Sequence, residues 1–159
     1  MAKALVRIMT CAALTLALWS VTTGSSEGDP VQATVDRPAT IVAQLSPSQL
    51  SPSLGESRSG SSAHVIIAVT HYSPTDDGMP VEVVVTGRIG NGPEREVGRF
   101  GITPDVEFKV DDPSAAQRFS LRLPRELTST EPIEFSVQIV PVRGSGRGAS
   151  VQVSDVEIR

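Results

Sequence analysis

From residue 63 onward the chain is written largely in alternating apolar and polar positions. The clearest case is Ile133 to Val142, where Ile133, Phe135, Val137 and Ile139 alternate with Glu134, Ser136 and Gln138. Successive side chains of a strand point to opposite faces, so this spacing predicts a half-buried strand with one apolar face to cover. Val81, Val83 and Val85 repeat the period, as do Val97, Phe100 and Ile102 more loosely over 95–102. Val106, Phe108 and Val110, then Phe119, Leu121 and Leu123, give two more strands. Near His64 to His71 both phases are apolar, which predicts a central strand starting at about residue 63. Val151 and Val153 fall out of phase with Val156 and Ile158, and the change at Ser154-Asp155 predicts a β-bulge.

Gly, Pro and Asp clusters separate these segments, and no amphipathic helical period is present. The residues 111–116 and 123–127 suit single helical turns. The pattern predicts an all-β fold, an antiparallel β-sandwich of about seven to eight strands, jelly-roll-like or Ig-like, over 63–159.

The N-terminal part reads differently. Lys3 and Arg7 precede an uncharged apolar run, Ile8 to Val21, followed by small residues at Thr22 to Ser25. This is the layout of a signal peptide over 1–24, and the run is short for a bilayer span. Cleavage rather than retention as an anchor is expected, giving an exported chain, periplasmic or secreted, with no stable membrane span. Residues 25–62 are rich in Ser, Pro and Gly and read as a flexible linker. Ala39 to Leu45 is the exception, apolar enough for an edge strand. The only cysteine, Cys11, lies in the apolar run, so the domain is expected to hold no disulfide, no thiolate metal site and no cysteine nucleophile.

With 159 residues there is room for one domain. A net charge of −4, with the basic residues scattered, argues against a nucleic-acid partner. Aromatic residues make up 4 % of the chain, too few for a base-stacking or sugar-binding platform.

Candidate chemistry is sparse. His64 and His71 fall on one predicted strand at an odd separation, which puts them on opposite faces and disfavours a shared metal unless a bulge intervenes. Asp76-Asp77 and Asp111-Asp112 are loop pairs whose carboxylates suit Ca²⁺ if the loops meet, although Asp is also a common turn former. The same acids are those through which a hydrolase would work, with no aromatic platform beside them. No nucleophile elbow, phosphate loop or dinucleotide fingerprint accompanies them, and the chain is expected to be non-catalytic.

From about His64 onward the chain resembles the β-rich C-terminal domain of bacterial tyrosinase/polyphenol-oxidase-like copper proteins. The resemblance is carried by Val81-Glu-Val-Val-Val-Thr-Gly87, Pro93-Glu-Arg-Glu-Val-Gly-Arg-Phe-Gly-Ile102 and Arg118-Phe-Ser-Leu-Arg-Leu123. Ile133-Glu-Phe-Ser-Val-Gln-Ile-Val-Pro-Val142 and Ala149-Ser-Val-Gln-Val-Ser-Asp-Val-Glu-Ile158 complete the order. The family's type-3 copper site needs six histidines on a helical bundle, whereas this chain has two histidines. The resemblance therefore implies the accessory module without the catalyst, and a copper oxidase or other exported protein as partner. It also implies an exposed side chain shielding the copper entrance, for which Tyr72 is the only tyrosine available. The competing role for Tyr72 is a strand-end packing residue with a buried ring and a wet hydroxyl. Two further readings stay open: a periplasmic copper- or calcium-binding protein using His64, His71 and the loop acids, and a hydrolase using the carboxylates.

Overall fold

The computed structural model describes residues 30–45, 63–103 and 105–159. The predicted signal peptide 1–24 and the linker positions 25–29 and 46–62 lie outside the described residues. Nine strands are described: β1 (Val31–Thr34), β2 (Ala39–Ala43), β3 (His64–Ser73), β4 (Val81–Ile89), β5 (Arg95–Phe100), β6 (Phe108–Lys109), β7 (Gln117–Arg122), β8 (Ile133–Pro141) and β9 (Ser150–Ile158). They form two antiparallel sheets, so the all-β antiparallel sandwich is the observed architecture. One sheet runs β1-β9-β3 with β6 and β7 sharing the far side of β3, and the other runs β2-β8-β4-β5. The expected helical turns are short 3-10 segments at Pro113–Ala115 and Arg125–Leu127.

The sandwich starts earlier than the apolar pattern suggests. The edge strand expected at Ala39 to Leu45 is β2, paired with β8, whereas β1, in a stretch that reads as linker, pairs with β9. The reason is visible in the pairing: Val31 and Ala33 lie opposite Val153 and Val151, while Ala39, Ile41 and Ala43 lie opposite Val137, Phe135 and Ile133. A tight turn joins the two strands, with the Thr34 amide donating to the Arg37 carbonyl at 2.8 Å. The chain thus passes from one sheet to the other and closes one side of the sandwich.

Strand β3 is the centre of its sheet, bonded to β9 on one side and to β6 and β7 on the other. Its register with β9 shifts twice, leaving Ser154 as an extra residue on β9 and Thr70 as an extra residue on β3. The bulge expected at Ser154-Asp155 is therefore present, and a second lies almost opposite it. Each bulged hydroxyl donates across the gap, Ser154 to the Ala68 carbonyl at 3.4 Å and Thr70 to the Gln152 carbonyl at 3.5 Å. Val65, Ile67 and Val69 face the core before the bulge, and Tyr72 faces it afterwards.

The core is aliphatic, with Phe135 and Tyr72 as its fully buried aromatics. On β4 the inward position opposite Phe135 is Gly87. A Cβ at Gly87 would meet Leu127 Cδ1 at 2.9 Å and Phe135 Cε1 at 3.3 Å, so hydrogen alone leaves room for both side chains. Gly87→Val is expected to lower stability by about 1–3 kcal/mol through overpacking. Gly101→Ala, where a Cβ meets nothing within 4 Å, serves as control and is expected to change it by less than about 1 kcal/mol. Urea unfolding midpoints compare the two.

Candidate functional site

The bulge on β3 changes the reading of the histidines. With Thr70 extra, His64 and His71 point to the same outer face, as their pairing with Arg122 on β7 and Gln152 on β9 requires. They remain seven positions apart, roughly 20 Å along the strand at ~3.3 Å per residue. A bulge brings them to one side and distance keeps them from sharing an ion.

Each histidine instead meets a serine. His64 Nδ1 lies 3.1 Å from Ser120 Oγ, and His71 Nε2 lies 3.3 Å from Ser73 Oγ. Glu107 Oε1 approaches His71 at 3.6 Å, on the same Nε2 that faces Ser73. A relay needs the serine on one ring nitrogen and the carboxylate on the other. Neither pair has that geometry.

The acids do not converge. Asp76 and Asp77 lie in the β3–β4 loop, against the Gly-rich β8–β9 loop: the Asp76 amide donates to the Arg147 carbonyl at 2.8 Å. The Asp76 carboxylate lies against the α-carbon of Gly148, whose φ of +85° already favours glycine. Asp77 Oδ1 accepts from the Met79 amide at 3.2 Å, a turn-forming contact. Asp111 and Asp112 follow β6, beside the middle of β3 rather than at the loop end, and Asp112 Oδ1 accepts from the Ser114 amide at 2.8 Å. The bonds from Ser114 hold the Asp112 carboxyl below its usual range. Sandwich topology separates the pairs, because β6 runs back along β3 and carries Asp111-Asp112 away from the β3–β4 loop. Among the described residues no group of three or more His, Cys, Asp and Glu side chains is placed to hold a metal ion.

Tyr72 is 1 % exposed, so it does not offer the exposed side chain that a shielding role needs. Its ring lies 6.3 Å from that of Phe108, and its hydroxyl donates to Asp105 Oδ1. Burial, followed by the Asp105 carboxylate, pushes the phenol well above its usual range. The packing role is the one the structure assigns to it.

Two surfaces remain. At the loop end, an open groove of about 640 Å³ runs between the β1–β2 turn and the β8–β9 loop, lined by Thr34, Asp36, Arg147 and Ser150 among others. On the long side opposite the β1–β2 turn, the edges of β5 and β7 face each other. Phe100 and Phe119 stack there, with ring centroids 4.0 Å apart and planes at 15°. Both are only partly buried, as are Val97 and Leu121 beside them. Leu121 packs over Gly98, where a Cβ would meet its Cδ2 at 3.2 Å. Sequence reading missed this surface: each residue is an ordinary inward strand position, and only the strand order shows that they end at an open side.

The charges around this seam differ by sheet. On the β2-β8-β4-β5 face, Arg88 meets Glu134 at 2.6 Å, and Arg99 meets Glu82 at 3.1 Å and Glu96 at 2.8 Å. Arg99 holds the Glu96 carboxyl below its usual range. On the other face Arg118, Arg122 and Lys109 are exposed along the β7–β6 edge and form no ion pair among the described residues.

No protein-family model matches the chain, and no curated protein sequence matches it. Among the described residues no helix is long and apolar enough to cross a membrane.

The raised Tyr72 phenol makes stability depend on pH. The folded state prefers the protonated form, so this contribution is complete below the unfolded pKa of ~10 and is lost as pH rises from there towards the folded value. Tyr72 is the only tyrosine, so the tyrosinate absorbance band reports it directly. The folded protein is expected to develop that band at distinctly higher pH than the urea-unfolded chain. Tyr72→Phe is expected to remove this contribution to the alkaline loss of stability while costing about 1 kcal/mol at neutral pH.

Proposed function

We propose that this chain is a non-catalytic, exported β-sandwich module that binds a protein partner, with a copper oxidase as the leading partner. The observation that carries the binding reading is the partly buried Phe100–Phe119 seam, where an apolar strip with a charged margin stays accessible between two sheet edges. Binding energy in protein interfaces concentrates in apolar and aromatic anchors with polar surroundings, and this strip has that composition. The oxidase as partner is supported by the ordered motifs from Val81 to Ile158, which resemble the accessory domain of tyrosinase-like proteins. The serine–histidine contacts and the dispersed acids favour no catalytic reading.

The chain from Ser25 onward, immobilised and exposed to the exported fraction of its own cell, is expected to recover an oxidase. Phe100→Ala, checked by thermal melting to be folded, is expected to weaken that recovery by about 30-fold in affinity, corresponding to about 2 kcal/mol. A folded wild-type bait that recovers no oxidase contradicts the partner assignment.

A further inference from the structure

Strand β7 is bonded to β3 along one edge, and among the described residues no strand pairs with its other edge. An edge strand offers backbone donors and acceptors to any extended chain of suitable side-chain pattern. Here the pattern is specific. Arg118, Ser120 and Arg122 lie on the outer face, opposite Ala68, Ile66 and His64. Phe119 and Leu121 lie on the inner face, partly buried at the seam with Phe100. The two arginines are four residues apart, about 13 Å at ~3.3 Å per residue. Lys109 continues the cationic line on β6, opposite His71.

This contrasts with the other edge strand of the seam. On β5, Arg99 is already occupied by Glu82 and Glu96, and a bulge between its pairs with Val85 and Thr86 breaks the edge. Among the described residues the β7 arginines have no such partner; Glu157 lies only within electrostatic reach of Arg118. A second copy pairing through β7 would set its own arginines against these, which is unfavourable. A chain carrying carboxylates meets complementary charge instead.

We propose that β7 accepts an extended acidic segment of a protein partner as an added strand, its carboxylates meeting Arg118 and Arg122 while alternate apolar side chains lie over Phe119 and Leu121. The pattern is acidic, apolar, small, apolar, acidic, the small residue lying opposite Ser120. This inference rests on the partner-binding reading and adds the partner's chemistry and its mode of docking.

The test titrates the folded chain with the capped peptide Thr-Glu-Val-Ser-Val-Glu-Thr and follows backbone amide NMR signals. Shifts are expected to concentrate on β7 and to weaken with added salt. Affinity is expected to fall at least about tenfold in Arg118→Glu/Arg122→Glu and in the milder Arg118→Gln/Arg122→Gln. No shift at millimolar peptide, shifts that survive both double variants, or equal binding of a peptide with Lys for Glu each overturns the proposal. Binding of polygalacturonate with the same arginine dependence, but without peptide-induced shifts on β7, overturns it in favour of a polyanion. An oxidase recovered equally by wild type and Arg118→Glu/Arg122→Glu removes the β7 site while leaving the partner-binding reading standing.

Discussion

The two opposed bulges in β3 and β9 set the faces of the central strand. Without the extra Thr70, the alternation begun by Val65, Ile67 and Val69 would carry His71 inward and Tyr72 outward. Burying the imidazole would cost free energy unless the core supplied a polar partner, and the core around that position is aliphatic. The bulge costs ladder regularity, which the Thr70 and Ser154 hydroxyls partly offset by donating to carbonyls of the facing strand. In return the one tyrosine fills the core, its hydroxyl reaches Asp105, and Phe108 is drawn against it to form the short β6.

Much of this arrangement is legible in the chain because one-sided burial imposes a period of two. Strands β4, β7 and β8 alternate cleanly, and the phase change from Val153 to Val156 exposes the β9 bulge. Its counterpart on β3 is hidden, since Ile66 and Ala68 are apolar on the outward phase and mask the switch at Thr70. Strand β1 is hidden for another reason: Val31 to Thr34 is four residues long and gains its partners only by lying against β9. Positions of loops relative to one another depend on strand order, so neither the separation of Asp76-Asp77 from Asp111-Asp112 nor the open β5–β7 side could be read from spacing.

The functional argument follows from how unevenly the sandwich is finished. One side is closed by the chain itself as it passes from β1 to β2. Among the described residues the opposite side is closed only by side-chain contact between β5 and β7, where Leu121 packs over Gly98 and two stacked phenylalanines form a partly covered apolar strip. Arg88 and Arg99 of one sheet are held by glutamates, while the arginines of β7 stand free of ion pairs among the described residues. Histidines, serines and acids are distributed along strands and turns, where Asp77, Asp112 and Ser154 hold local backbone geometry.

Residue-resolved hydrogen exchange of the full chain tests the central claim, a β7 edge that no strand among the described residues occupies, most directly. Amides of β7 that bond to β3 are expected to be protected, and the intervening amides, which face the free edge, to exchange at close to unprotected rates. Uniform protection along Gln117–Arg122 would mean that the edge is already paired, and would contradict the account.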